Sequence, residues 1–437
     1  MRRVLLSLGT TILLFTVAIG VAQPPVPPTA PIPATPPAIP AVGTSPALVT
    51  TNAGEVPLAQ FEPLSSFPQP TQSAVRAVVY GSNWMTRMNQ PQGRFQFGYR
   101  PALRQPMEGD HDLKQARAAL ALSQTARFSG DERQTAIASQ AILSLLSVTR
   151  ADPADAKCRI PVVSSMTCNR VGFASVLALS IYELPGADEK LIAEAERLCE
   201  FLHRQLRVDG SVHYIDSLNE LPVKVDPAGV NEYPGVALHA LAVSLRVKPA
   251  AWKAEALKKG IEHYHGWFKA NPHPMLVATL TPAFAEFYLS TKSNEAAAAA
   301  FEMNDWLIGL QYPTGDPRHA NWSGGFKGFA NGQAVESEPA CEGCYLQSLA
   351  CSYQLVRFTA DLARATKYKQ AIQDSVQFLT GLQYSEANTR HFENGFRANQ
   401  LIGGFYLSPT DGNLRIDSTA CAVSGLLRFL SCGAEKN

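Results

Sequence analysis

The residues whose types and spacing can do chemistry fall in a few short clusters. Gly109-Asp110-His111-Asp112 sets an imidazole between two carboxylates, an arrangement that can serve as a general base or acid with a raised pKa. The same residues also suit a plain helix start, because Asp is a favoured N-cap and a favoured first-turn residue. Glu232-Tyr233 offers a carboxylate and a phenol able to protonate a leaving group or abstract a proton. Arg415-Ile416-Asp417-Ser418 places a guanidinium beside a carboxylate; the guanidinium can hold a substrate carboxylate through paired donors, or pair internally with Asp417. Asp110, His111, Asp112, Glu232, Tyr233 and Asp417 are therefore the catalytic candidates, and Arg170, Trp322, Phe326, Glu338, Arg397, Phe405 and Arg415 the binding candidates. Rings such as Trp322, Phe326 and Phe405 can stack on sugar faces or line an apolar pocket, or can wedge between helices.

These clusters need elements to position them. Helical periodicity with Gly/Pro punctuation predicts about twelve helices and no strand series, over 72–90, 111–128, 132–148, 171–184, 188–206, 231–247, 250–270, 275–291, 294–311, 342–365, 367–384 and 417–432. Pro282 is expected to kink or split the eighth. Links alternate in length: short ones at 128–132, 184–188 and 247–249, long ones at 91–110, 149–170, 207–230, 312–341 and 385–416. In an up-and-down array all the long links lie at one end, where function is expected.

Internal repetition supports such an array. Trp306-Leu-Ile-Gly-Leu-Gln-Tyr312 matches Phe378-Leu-Thr-Gly-Leu-Gln-Tyr384, and each precedes a Gly-Gly-Phe, at 324–326 and 403–405. Weaker copies are Trp84-Met85 with Gly93-Arg94-Phe95, and Phe201-Leu202 with Asp209-Gly210. In NWSGGFKG and LIGGFYLS the chain resembles the α/α-toroid superfamily, and in particular its terpenoid-cyclase and protein-prenyltransferase branch. The resemblance implies an all-α, (α/α)6 toroid whose inner helices follow the long links, with their amino ends at a loop-covered mouth. A helical solenoid is the structural competitor. Neither DxDD nor DDxxD occurs, so terpenoid-cyclase chemistry is not supported, and no phosphate loop, GxSxG or HExxH is present.

Composition bounds the rest. With 38 Lys+Arg against 37 Asp+Glu the net charge is +1 and no basic block stands out, which argues against a nucleic-acid partner. Residues 1–22 have the layout of a secretory signal peptide, so the chain is expected to be exported to the periplasm or beyond, touching a membrane only if that segment stays uncleaved. Residues 23–48 read as a Pro/Ala-rich linker, and 49–437 as one toroid domain. Cys158 and Cys168 bracket a non-helical loop and are expected to form a disulfide. Cys341 and Cys344 form a lone CxxC without the ligands that zinc requires, so no metal and no cofactor is expected. The expectation for function is a lyase, hydrolase or epimerase acting on an extracellular polysaccharide. The alternatives are a non-catalytic envelope binding or scaffold protein, or a terpenoid-cyclase-like protein without the usual acids.

Overall fold

The computed structural model describes residues 63–163, 168–215 and 227–434. The expected signal peptide and linker lie outside the described residues. Twelve long helices occupy the described part: α1 (Gln69–Arg87), α2 (Asp112–Ser129), α3 (Glu132–Leu146), α4 (Arg170–Glu183), α5 (Glu189–His203), α6 (Tyr233–Val247), α7 (Ala251–Ala270), α8 (Pro274–Thr291), α9 (Asn294–Ile308), α10 (Gly343–Thr359), α11 (Leu362–Gly381) and α13 (Ile416–Cys432). A single turn, α12 (Asn394–Phe396), sits in the last long link.

Helices α2, α4, α6, α8, α10 and α13 each pack on the next, and α13 returns to α2, so the inner ring closes. The outer helices α3, α5, α7, α9 and α11 each pair with the inner helix before them, and α1 packs on α13. The sequence separates the two layers. In α4 every residue from Arg170 to Tyr182 is buried, as befits a helix enclosed on all sides. Outer α5 buries only the stripe Ala195, Leu198, Cys199, Phe201 and Leu202. The short links carry the caps of the outer helices: Asp131, Asp188, Ser293 and Asp361 each accept a hydrogen bond from a first-turn N–H of α3, α5, α9 and α11. Inner helices start after the long links, α8 excepted, whose link from α7 is short.

The repeat is a device for joining neighbouring hairpins. Isolated antiparallel bridges recur as Asn89–Phe95, Leu206–Val212, Gln311–Phe326 and Gln383–Phe405. In each turn a glycine of positive φ (Gly93, Gly210, Gly324, Gly403) lies against the next outer helix. A Cβ there would meet Gln140 O at 2.8 Å, Lys259 O at 2.3 Å, Asp374 O at 2.0 Å or Tyr80 O at 2.1 Å, so only glycine fits. The last of these contacts, from the link after α11 onto α1, closes the ring.

Two expectations are corrected. The split expected at Pro282 does not occur: α8 runs as one helix from Pro274 to Thr291, with α6 and α10 packed against it. Short strands do occur, all inside long links: β1 (Gly98–Arg100), β2 (Gln105–Met107), β3 (Thr149–Asp152), β4 (Asp155–Pro161), β5 (Gly328–Ala330), β6 (Gln333–Val335) and β7 (Leu414–Arg415). The ladder β2-β1-β7 stitches the first long link to the last, pairing Gly98 with Arg415 and Tyr99 with Leu414. Among the described residues no helix is long and apolar enough to cross a membrane.

Candidate active site at the loop-covered mouth

The amino ends of the inner helices surround the mouth. Asn169 and His273 cap α4 and α8 with their side chains, whereas α2, α6, α10 and α13 have no side-chain cap. The positive ends of those four helices therefore favour negative charge in the mouth.

His111, the N-cap residue of α2, is followed at intervals of three by Lys114 and Arg117 in the first two turns of the helix. Arg117 forms an ion pair with Glu232 at the start of α6, and Lys114 lies 3.7 Å from Asp417 of α13 and 4.8 Å from the Phe97 ring centroid. Arg415 grips Asp417 through two bonds, Nε to Oδ1 at 2.9 Å and Nη2 to Oδ2. Ile416 N donates to Phe97 O at 3.1 Å, so the β1–β7 ladder fixes where this pair sits. Burial alone would raise the Asp417 carboxyl, but the hydrogen bonds and charge of Arg415, with Lys114 and Arg117 behind it, hold it below the usual aspartate range.

The neighbouring inner helix α10 begins with a carboxyl shifted the other way. Burial pushes Glu342 above the usual range, opposed by a hydrogen bond from Tyr345. Tyr345 stands edge-on to Phe326, ring centroids 4.9 Å apart, so the Gly-Gly-Phe turn holds the phenol that holds Glu342. Cys344 of α10 hydrogen-bonds Cys421 of α13; this bond lowers the Cys421 thiol, with the Arg117 charge assisting against burial. His111 is kept uncharged by burial and by Lys114, against the pull of Asp112 and Asp417, and its Nδ1 is buried without a partner. Burial and the repulsion of Arg415 and Arg117 lower Lys114 despite Asp417.

His111, Glu232, Arg415 and Asp417 thus meet around Lys114 and Arg117. Tyr233 begins α6 beside Glu232 and packs on Gly172, its ring 6.2 Å from Tyr214. Other candidates go elsewhere. Arg94 binds Asp110 at 2.9 Å and Asp112 at 2.6 Å, tying both to the first long link. Arg170 is inside the wall, donating to Val163 O at 2.8 Å. Arg397 pairs with Glu386 at 3.2 Å. Glu338 accepts from Thr410 N at 2.5 Å and Thr410 Oγ1 at 2.7 Å, clasping two long links. Trp322 stacks on His319, 3.8 Å between centroids. Phe405 has no exposed surface, and Phe326 is buried against Tyr345, so both act as wedges and have no face to offer a ligand.

The expected Cys158–Cys168 disulfide is also corrected, since both are free thiols. Cys158, in β4, is surrounded by Arg204 and Glu200 at the end of α5. Cys168 sits by Leu113 at the start of α2. Burial pushes the two thiols up to about 11 and about 12. Among the described residues no group of three His, Cys, Asp or Glu side chains is placed to hold a metal ion.

Lys114, Arg117, Glu342, Tyr345 and the Cys344–Cys421 contact are not among the candidates read from the sequence. The available signal was polar residues spaced three or four apart in otherwise apolar helices, as in Asp417, Cys421, Ser424 and Arg428 of α13.

No protein-family model matches the sequence, and no curated protein matches it. Solved structures do. A D-mannose isomerase is similar with a TM-score of 0.60 at 12% identity, covering 84% of this chain and 99% of that one. Cellobiose 2-epimerase from Bacillus thermoamylovorans gives 0.56 at 10%, covering 82% and 98%. An inactive variant of the α-1,6-mannanase of Salegentibacter sp., in complex with α-1,6-mannotriose, gives 0.54 at 12%, covering 83% and 100%. Closed inner ring, outer ring and these likenesses agree: the chain has the α/α-toroid fold.

Proposed function

We propose that this protein is a glycan-processing enzyme that hydrolyses glycosidic bonds in the loop-covered mouth. The observation that carries the reading is the pair Glu342 and Asp417, at the amino ends of adjacent inner helices, with their acidities pushed in opposite directions. Two carboxyl groups whose acidities are pushed apart in this way suit a division of labour between a proton donor and an ionised carboxylate. Glu342 gives its proton to the departing glycosidic oxygen. Asp417 takes a proton from the attacking water, whose oxygen bonds to the sugar carbon as the carbon–oxygen bond to the leaving group breaks.

Lys114, Arg117 and Arg415, with the uncapped helix ends, favour a glycan that carries carboxylates. Similarity to enzymes named for mannose, cellobiose and α-1,6-mannan supports a carbohydrate substrate. Export, expected from residues 1–22, would put extracellular polysaccharide within reach.

The test is a screen of the purified protein for reducing-end release from acidic and neutral polysaccharides, with Glu342→Gln and Asp417→Asn alongside. At least one polysaccharide is expected to be cleaved, and Glu342→Gln to lower kcat by about 10²–10⁴-fold with an unchanged circular dichroism spectrum. No cleavage of any polymer, or full activity in both variants, would contradict it. A second reading rests on His111, whose uncharged ring with an unpaired Nδ1 suits proton abstraction in an epimerase or isomerase. Altered sugar stereochemistry without new reducing ends, lost in His111→Asn, would favour that reading.

A further inference from the structure

Three of the eight cysteines converge where the amino end of α10 crosses the second turn of α13: Cys341, Cys344 and Cys421. The chemistry proposed for the mouth uses none of them. Glycines make the crossing close. A Cβ on Gly343 would lie 2.1 Å from Cys421 O and 2.6 Å from Ala422 Cα, and one on Gly425 would lie 2.2 Å from Gly343 O, so the two backbones touch. Cys344 is the next residue of α10, and its thiol meets that of Cys421 in a hydrogen bond. A disulfide needs contact at both levels, because its short S–S bond tolerates little backbone mismatch.

Access and acidity single out the same pair. The other six cysteines are buried, whereas Cys344 and Cys421 both keep solvent-exposed surface. Cys341 is turned inward, its own N–H bonded to Leu407 O at 2.8 Å. The Cys344 thiol, the charge of Arg117 and the Cys344 N–H together lower the Cys421 thiol against burial. That N–H belongs to the uncapped amino end of α10, and a helix amino end beside a guanidinium is a setting that favours a thiolate. The same hydrogen bond, with burial, keeps Cys344 protonated. One sulfur is thus ready to attack while the other waits as a thiol, the division that thiol–disulfide exchange requires.

We propose that Cys344 and Cys421 are a redox-active dithiol that closes reversibly to a disulfide across α10 and α13, with a small organic disulfide as oxidant. The Cys421 thiolate bonds to one sulfur of the oxidant, whose S–S bond breaks to release one thiolate. Cys344 then loses its proton to solvent and bonds to Cys421 Sγ, and the mixed S–S bond breaks to release the second thiolate. The dithiol gives up two electrons and two protons, and the oxidant becomes two thiols. The new bond ties together the helix starts that carry Glu342 and Asp417, two residues before Cys344 and four before Cys421. The exchange does not depend on what the mouth catalyses.

The full chain equilibrated with oxidised and reduced glutathione over a range of ratios, then quenched with acid, alkylated with iodoacetamide and digested with trypsin, tests it. Cleavage puts Cys421 alone on 416–428 and Cys341, Cys344 and Cys351 together on 328–357. A linked pair of these peptides is expected to build up as the oxidised share rises and to vanish with dithiothreitol. The link is expected to persist in Cys341→Ser and to be absent from Cys344→Ser. In the native reduced protein, iodoacetamide is expected to label Cys421 at least about tenfold faster than buried Cys199. The wild-type map stands without any variant, so a Cys→Ser chain that fails to fold, revealed by thermal melting, does not remove the test. The proposal is overturned if 416–428 stays unlinked at every ratio, or if the link survives in folded Cys344→Ser. It is equally overturned if Cys341 and Cys344 close on each other while Cys421 is alkylated, or if Cys421 labels no faster than Cys199.

Discussion

Asp417 is a first-turn acid of α13 and Glu342 the N-cap residue of α10, yet their neighbours give them opposite characters. Asp417 is nearly enclosed and held by Arg415 and Lys114. Replacing it with Asn leaves two cations without their partner, a loss expected to cost about 3 kcal/mol in a chemical-denaturation experiment at pH 7. The sign with pH follows from its lowered pKa. The contribution of Asp417 is fully present above the ordinary aspartate range and fades as pH falls through the depressed folded value. The stability gap between wild type and Asp417→Asn should therefore narrow below about pH 4, and a gap that widened there would refute the ion-pair account. Cys158 and Cys168 should both react with iodoacetamide after denaturation without reductant, as seen by peptide mass mapping. At this scale the sequence showed where acids and bases begin helices but not which would meet. That depends on side chains such as Lys114, Arg117 and Tyr345 crossing between elements far apart in the chain.

Helices and their links were much more legible. Periodicity placed all twelve long helices, because inner and outer helices alike keep strong apolar patterns and the short links carry Asp, Ser and Gly punctuation. The Leu-Gln-Tyr and Gly-Gly-Phe repeat had a physical cause that sequence alone did not disclose. Gln311 Nε2 donates to Gly324 O at 3.1 Å, Ala371 O at 2.9 Å and Ser375 Oγ at 2.9 Å, joining its own turn to the next outer helix. The strands escaped notice because most have only two to four residues, and β7 takes its order from a partner in another link. The glycine of each turn gives the sharpest test of an element. Gly403→Ala must carry a Cβ at φ 97° that would lie 2.1 Å from Tyr80 O. A loss of about 3 kcal/mol in urea unfolding is expected. A neutral effect would mean that the turn does not press on α1.

Closure is a property of the whole molecule, and it distinguishes a ring from a solenoid. Gln383 Nε2 donates to Gly403 O at 3.0 Å and to Ala77 O at 2.9 Å, repeating the Gln311 clasp between the last hairpin and the first helix. Trp84 Nε1 adds a bond to Gln400 O at 2.8 Å. Gln383→Leu removes both of these buried bonds and leaves Gly403 O without its side-chain donor, and should cost about 1–3 kcal/mol in thermal or urea unfolding. An unchanged midpoint would speak against a closed ring. The ring also gives the molecule direction. The strands and long links gather at the amino ends of the inner helices, while polar residues of α2, α10 and α13 continue along the axis. In the proposed reaction Glu342 and Asp417 act as proton donor and carboxylate on a glycan in the mouth. The pH dependence of kcat/KM on a cleaved polysaccharide, wild type against Glu342→Gln, tests it most directly. A bell is expected for the wild type, rising as Asp417 ionises below the usual aspartate range and falling as Glu342 ionises above the usual glutamate range, with the falling limb lost in the variant. A variant that kept both the wild-type rate and the falling limb would contradict it.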